Sequence, residues 1–224
     1  MKVSIVIPIY NEVRLLPTVL EKVRALPLDK ELLLVDDHST DGTIELLRAE
    51  EGKPATTVIY HDRNQGKGAA IRSGLALATG DIVIVQDADL EYDPNDIPAV
   101  VRPILEGRTR VAYGSRFRGK PLQMRLPNRV ANHILAWMVT LLYGQRITDE
   151  ATAYKAFRRE VLERIHLTCR RFEFCPEVTA KVLRLGERIV EVPVSYVARD
   201  FEAGKKIGWR DFVVAVWTLM KSRF

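Results

Sequence analysis

The chain is poor in the features that would mark a secreted or membrane-spanning protein. Its two cysteines, Cys169 and Cys175, support neither a disulfide framework nor a zinc-ligand pattern. They read as reduced structural thiols in a cytoplasmic protein. No stretch reaches the ~18 uncharged apolar residues that a transmembrane helix needs; Ile134 to Tyr143 comes nearest and is too short. Met1-Lys2 leads into the brief apolar run Val3 to Pro8, which polar Asn11 and Glu12 end at once, so no signal peptide is expected. Internal repeats and low-complexity linkers are absent. Acidic residues are outnumbered, 29 against 34 Lys and Arg, for a formal charge of +5. Such a balance suits nucleic acid, an anionic membrane surface or a phosphorylated ligand. The basic residues are dispersed and no recognition module is present, which sets nucleic acid aside.

What is present fits one large α/β domain: 224 residues, 47% hydrophobic and 28% charged, enough for a full core. Lys2 to Ile9, Glu31 to Val35, Thr57 to His61 and Asp81 to Gln86 are short apolar, β-branched runs that read as buried strands. Between them lie helical stretches: Glu12 to Leu26, capped by Asn11; Thr43 to Glu50, capped by Asp41 or Ser39; and a third opening at Asn64 to Ala70. This alternation predicts a parallel sheet with helices on both faces. Ligands of such sheets sit outside the carboxyl ends of the strands. The polar clusters follow the strands there: Tyr10-Asn11-Glu12, Asp36-Asp37, Asn64-Gly66-Gly68 and Asp87-Asp89. All four are expected to line one crevice.

The fourth strand delivers Asp87, Asp89, Glu91 and Asp93 on alternate positions. Residues two apart in an extended chain point the same way, and clustered carboxylates repel unless something positive sits among them. A hard divalent cation, Mg²⁺ or Mn²⁺, answers that need and leaves coordination positions for a phosphorylated substrate. The plainer reading is a strand end followed by an acidic turn. Gly66 and Gly68, around Lys67, allow close approach of backbone to a phosphate or sugar at a helix start, or else form a tight turn. Their spacing matches neither GxxxxGK[ST] nor GxGxxG. Asp36 and Asp37 read as a site for ribose hydroxyls or a base edge, or as ordinary turn residues.

The second half is less regular. Val111 to Tyr113 is a strand candidate leading to Gly114-Ser115-Arg116. Leu126 to Tyr143, Arg159 to Ile165, Phe172 to Leu185 and Trp209 to Phe224 are expected helices. Thr148 to Thr152 is a polar turn before Tyr154 to Phe157. Arg188 to Val197 is a strand that Pro193 confines to an edge or bulge. Arg199 to Lys206 is a basic loop. The last helix mixes Trp209, Phe212, Val213, Val216, Trp217 and Met220 with Arg210, Lys221 and Arg223. It suits a membrane surface or docking on its own domain, and 128–143 carries the same ambiguity.

These motifs resemble family 2 (GT-A fold) glycosyltransferases: Pro8-Ile9-Tyr10-Asn11-Glu12, Asp36-Asp37 with Ser39 to Thr43, Asn64 with Gly66 to Ala70, and Gln86 to Leu90. Gly114-Ser115-Arg116, Thr148-Asp149 with Thr152, and Val192-Pro193-Val194 with Tyr196, Arg199 and Lys205 resemble the polyprenyl-phosphate sugar synthases, of the dolichyl-phosphate mannose (or glucose) synthase type. The resemblance implies a single GT-A domain over 1–224, with a Rossmann-like, mostly parallel central sheet. Residues 1–115 would bind the nucleotide sugar, and 116–224, with the C-terminal helices, would face the lipid acceptor. It implies inverting, metal-dependent transfer of a hexose, from a GDP-mannose or UDP-glucose type of donor, to a polyprenyl phosphate.

By the same resemblance Pro8, Tyr10, Glu12, Val35 and Asp37 would hold the nucleoside. Asp87, Ala88 and Asp89 would sit at the diphosphate and sugar, with Gly66 and Lys67 on the donor side. Asp89 and Glu91 would bind the metal, and Arg116, Arg199 and Lys205 would bind phosphates. A lipid phosphate is already an anion and needs positioning more than a general base. A hydroxyl acceptor would need a carboxylate base, for which Asp149 is the candidate. A third reading is a non-catalytic membrane-associated binding protein on this fold, against which the Asp87/Asp89/Glu91 set speaks. Three positions depart from the family pattern. His38 replaces a small residue, Glu91 replaces Gln, and Glu202-Ala203-Gly204-Lys205 alters the wording around Lys205. Without a transmembrane pair, access to lipid is expected through a peripheral surface at the cytoplasmic membrane face.

Overall fold

The computed structural model describes residues 1–119, 124, 126–198 and 208–223. The chain runs β1 (Val3–Ile9), α1 (Leu16–Ala25), β2 (Lys30–Asp36), α2 (Thr43–Arg48), β3 (Thr56–Tyr60), α3 (Lys67–Leu75), β4 (Ile82–Val85), α4 (Ile97–Leu105) and β5 (Val111–Ser115). It continues with α5 (Leu126–Tyr143), β6 (Lys155–Arg158), α6 (Arg159–Glu163), α7 (Phe174–Arg184), β7 (Ile189–Pro193) and α8 (Trp209–Lys221). The strands form one seven-stranded sheet in the order β3-β2-β1-β4-β6-β5-β7.

β1 pairs in parallel with β2 and β4, and β2 with β3. Alternation along β1 serves two cores, because successive strand residues face opposite sides. Val3, Ile5, Ile7 and Ile9 pack with Leu16, Val19, Leu20 and Val23 of α1, while Val6 joins Leu33 and Val83 on the other face. Each such side chain removed from water contributes roughly 1.5–3 kcal/mol. The sequence order reverses between β1 and β4, the topological switch at which open α/β sheets place their ligands.

β6 departs from the expected pattern. It is antiparallel to both β4 and β5, so the sheet is mixed. Its Lys155 hid it from periodicity, since a lysine rarely lies in a core. Here Lys155 is fully buried. Its ammonium donates to Glu150 O at 2.7 Å and Thr179 Oγ1 at 3.2 Å and lies 3.7 Å from the Tyr113 ring centroid. β7 is the edge strand, parallel to β5, with Pro193 as its last residue, where a missing N–H costs no ladder bond.

Two helix starts differ from expectation. α1 begins at Leu16 rather than near Glu12, and Asn11 does not cap it; Asn11 has φ 56° and turns its side chain to the next loop. The residue capping α2 is Gly42, although Asp41 accepts from Thr43 N at 3.1 Å and so still supports that start. Asp93 caps the turn at Pro94, accepting from Asn95 N.

α5 and α8 pack against each other, the Tyr143 hydroxyl donating to Leu219 O at 2.6 Å. Each buries one face and exposes another. Leu126, Val130, Ile134, Trp137 and Leu141 recur at helical spacing on the open side of α5, as do Trp209, Val213, Trp217 and Met220 on α8. Trp137 and Trp217 are each 63% exposed and Trp209 73%. Among the described residues no helix is long and apolar enough to cross a membrane.

Candidate active site

The four polar clusters meet at the carboxyl end of the parallel strands. The loops after β1 and β2 are laced together: Asn11 N donates to Ser39 Oγ at 2.9 Å, Thr40 N to Asn11 Oδ1 at 2.7 Å, Glu12 N to Thr43 Oγ1 at 3.0 Å and Val13 N to Asp41 Oδ2 at 3.1 Å. Tyr10, Glu12 and Pro8 are partly exposed at this end, and Val35 is buried beneath them. His38 is exposed with φ 66°.

Asp37 is engaged by its own chain. It accepts from Gln65 N at 2.8 Å and Gly66 N at 2.7 Å, and meets His61 Nδ1 at 2.8 Å, whose Nε2 meets Ser73 Oγ at 2.9 Å. The carboxylate thus fixes the turn that opens α3. The glycines there serve a different close approach from the one expected. A Cβ on Gly66 would lie 2.4 Å from Arg170 O, and one on Gly68 2.8 Å from Arg171 O. The 170–171 backbone crosses over the start of α3, and Ala69 N donates to Arg170 O. Arg170 and Arg171, both exposed, are thereby brought to the cleft; no local motif marks them.

Lys67 and Asp87 form the central pair. Lys67 Nζ lies 2.6 Å from Asp87 Oδ1 and 2.7 Å from Oδ2. Burial by itself would lower the Lys67 pKa, but the Asp87 charge outweighs it and raises it. Asp87 Oδ1 is buried, with the Lys67 ammonium as its close contact. Asp89 is pushed up to about 7, first by burial and then by the charges of Asp87 and Glu91. Between Asp89 and Glu91, Leu90 holds a positive φ of 57°, which a non-glycine residue adopts only where its surroundings enforce it. Ala88 is buried in the same turn.

A mutually repelling carboxylate set, in which burial and the charges of Asp87 and Glu91 push Asp89 up, fits a divalent cation. No group of three ligating side chains sits at metal spacing among the described residues. The protein share would therefore be the one or two carboxylates of Asp89 and Glu91, with substrate oxygens completing the shell, as Mg²⁺ sites are commonly built.

Arg116, at the end of β5, is the best-held cation of the site. Its backbone N and Nε donate to Asp149 Oδ2 at 2.9 and 2.7 Å, and its Nη2 to Oδ1 at 2.7 Å. Its guanidinium carbon lies 5.0 Å from the Tyr196 ring centroid and 5.9 Å from that of Tyr92. The Tyr196 hydroxyl donates to Glu91 Oε2 at 2.9 Å, tying Arg116 to the acidic turn through one ring. Tyr154 stacks on Tyr92 with centroids 4.8 Å apart and donates to Gln86 Oε1 and Asp93 O.

The geometry corrects one expectation. Asp149 is fully buried, Asn132 Nδ2 donates to Oδ1 at 2.9 Å, and the remaining bonds come from Arg116. A carboxylate so occupied does not meet an acceptor hydroxyl. Arg199 and Lys205 lie outside the described residues.

Comparisons with known proteins give the family and the fold. The family model described as Glycosyl transferase family 2 matches residues 4–166. The undecaprenyl-phosphate 4-deoxy-4-formamido-L-arabinose transferase of Photorhabdus laumondii is 34% identical over 210 residues, covering 91% of this chain and 62% of its own. That of Yersinia enterocolitica is 33% identical over the same shares. The chain thus spans about three-fifths of the length of these relatives. Among solved structures, glucosyl-3-phosphoglycerate synthase from Mycobacterium tuberculosis, in complex with Mn²⁺, uridine diphosphate and phosphoglyceric acid, superposes with a TM-score of 0.75. It is 21% identical, over 99% of this chain and 78% of that one. Mannosyl-3-phosphoglycerate synthase from Rubrobacter xylanophilus gives the same score and identity over 99% and 72%. These likenesses show the GT-A fold.

Proposed function

Because the chain belongs to glycosyl transferase family 2, we propose that it moves a sugar from a nucleotide-diphosphate donor to a polyprenyl phosphate. The observation that carries this reading is the Arg116–Asp149 pair. It gives that side of the cleft a fixed buried cation, and it commits Asp149, the candidate base, to holding that cation. A lipid phosphate needs the cation and not the base. The likeness to the undecaprenyl-phosphate sugar transferases, over 91% of the chain, supports the same acceptor.

In this reading a phosphate oxygen of the lipid attacks the anomeric carbon. The bond from that carbon to the donor diphosphate breaks, with inversion, and the nucleoside diphosphate leaves with added negative charge. Lys67 fixes Asp87 beside the sugar, and both stay in place through the step. Arg116, oriented by Asp149 and the Tyr196 ring, neutralises phosphate charge, and preorganised charge of this kind is a major source of catalysis. Asp89 and Glu91 would hold Mg²⁺ or Mn²⁺, which supplies Lewis-acid stabilisation of the leaving diphosphate. Pro8, Tyr10, Glu12 and Val35 border the nucleoside end, and Asp37 serves it by holding the Gln65–Gly66 turn. Glu91 accepts from the Tyr196 hydroxyl through Oε2, which fixes its side chain beside Arg116's ring partner.

The exposed stripes of α5 and α8 would meet the membrane that holds the lipid. Arg129, Arg210, Lys221 and Arg223 accompany them, and basic-apolar helices of this kind lie in anionic interfaces. The free thiols of Cys169 and Cys175 fit a reducing compartment, hence the cytoplasmic membrane face. The test is a donor screen with undecaprenyl phosphate and Mn²⁺ or Mg²⁺. A chelator-sensitive, lipid-linked sugar from at least one donor is expected. No lipid-linked product from any donor, alongside metal-dependent donor binding, would refute the acceptor.

A further inference from the structure

A cavity of about 410 Å³ lies along the free edge of the sheet, beside β7 from Ile189 to Glu191. Gln145, just past α5, closes part of that edge. Its side-chain amide donates to Ile189 O at 2.7 Å and accepts from Ile189 N at 3.1 Å, standing in for a further strand. The open part is lined by Arg118, Arg146, Arg188 and Glu191. Glu191 is committed inward. Its side chain is 3% exposed, and it accepts from Thr148 N at 2.8 Å, Asp149 N at 3.0 Å and the Thr148 hydroxyl at 3.0 Å. Arg118 Nε stands 3.5 Å from it.

Arg146 and Arg188 are exposed and have no acidic partner among the described residues. Some arginines elsewhere are paired, Arg24 with Glu50, Arg110 with Glu187 and Arg116 with Asp149; what sets Arg146 and Arg188 apart is that both line one cavity. Two unpaired guanidinium groups and a third only loosely paired, around one cavity, make a local positive potential. The planar fork of arginine matches phosphate oxygens bidentately. The volume falls in the range of small-ligand sites, roughly 300–1,000 Å³.

We propose that this edge cavity is a phosphate-binding site, separate from the donor cleft, in which Arg146 and Arg188 grip the anion with Arg118 as a third donor. The phosphate is carried either by a phospholipid headgroup or by a soluble phosphate. Because Glu191 is both the cavity wall and the support of the Thr148–Asp149 turn, the anion would sit one side chain away from the groups that hold Arg116.

Two arms test it on the whole chain. In the first, inorganic phosphate is titrated by calorimetry without metal or nucleotide into wild type, R146A/R188A, R146K/R188K and K67A. Losing two charge-assisted contacts should weaken binding by at least about tenfold in the alanine pair. The lysine pair should show a smaller loss, and K67A should bind as wild type does. In the second, vesicles of phosphatidylcholine with and without phosphatidylglycerol are sedimented with wild type, R146A/R188A and R102A/R108A, which removes two exposed charges elsewhere. A larger loss for R146A/R188A than for R102A/R108A assigns the phosphate to a headgroup. Loss confined to the calorimetric arm assigns it to a soluble phosphate. The proposal is overturned if R146A/R188A binds inorganic phosphate as wild type does and matches R102A/R108A on vesicles.

Discussion

Asp37 and Arg116 are both buried charges at strand ends, yet they are held by different means. Asp37 is held by the backbone N–H groups of Gln65 and Gly66 and by the His61 ring, all in the loop that follows the adjacent strand. The Asn11 and Asp41 loops are knitted the same way. Arg116 is fixed by side chains gathered from distant segments: Asp149, with Asn132 behind it, and the rings of Tyr92 and Tyr196. The first half therefore builds its site from strand order and turn chemistry, and the second from long-range side-chain packing. Backbone-held loops tolerate substitution at their tips; a buried ion pair does not tolerate the loss of one partner.

The sharpest test of that contrast is D149A. It strands the Arg116 charge and should cost on the order of 3–5 kcal/mol of stability in urea unfolding, with R116A/D149A costing less than D149A alone. In the first half, K67A should cost less stability than D149A, since Lys67 and Asp87 are 30% and 14% exposed against 9% and 0% for Arg116 and Asp149. Turnover of K67A should fall on the order of 100-fold, as when one preorganised charge contact is removed. Equal losses of stability in the two variants would erase the difference between the halves.

Acid should expose one point in each half. Burial by itself would raise Glu31 and Glu177, but hydrogen bonds from Lys2, Ser4 and Thr79 to the first, and from Lys181, Thr168 and Cys169 to the second, hold both down to about 2. A carboxylate depressed in the folded state stabilises above its unfolded value and loses that contribution as pH falls through the folded one. The loss should therefore run from about pH 4.5 to about pH 2 and reach on the order of 3 kcal/mol per group. E31Q should flatten half of it when urea unfolding is compared at pH 7 and pH 3. The smallest effect on stability belongs to W137A/W217A, within about 0.5 kcal/mol for exposed positions, although vesicle binding should drop sharply.

The same contrast explains what could be read from the chain before its structure. β1 to β4 and the crevice at their ends were legible because period-two apolar runs and polar turn residues are local signals. Pro193 at an edge was legible for the same reason. β6 was not, because Lys155 breaks the apolar pattern and finds its partners only across the fold. Gly66 and Gly68 stood out, but the Arg170–Arg171 backbone that requires them lies about a hundred residues on. Asp149 carried no local mark that distinguishes a base from a partner of arginine. Its role became readable only with Arg116 and Asn132 around it.

That role is the centre of the account, and a double-mutant cycle on transfer measures it directly. The quantity is kcat/KM for transfer of the sugar to undecaprenyl phosphate by wild type, R116A, D149N and R116A/D149N. If Asp149 acts only by holding Arg116, the double variant loses no more than R116A does. Losses that multiply, with D149N keeping wild-type donor binding and stability, would give Asp149 a chemical part of its own and contradict the account.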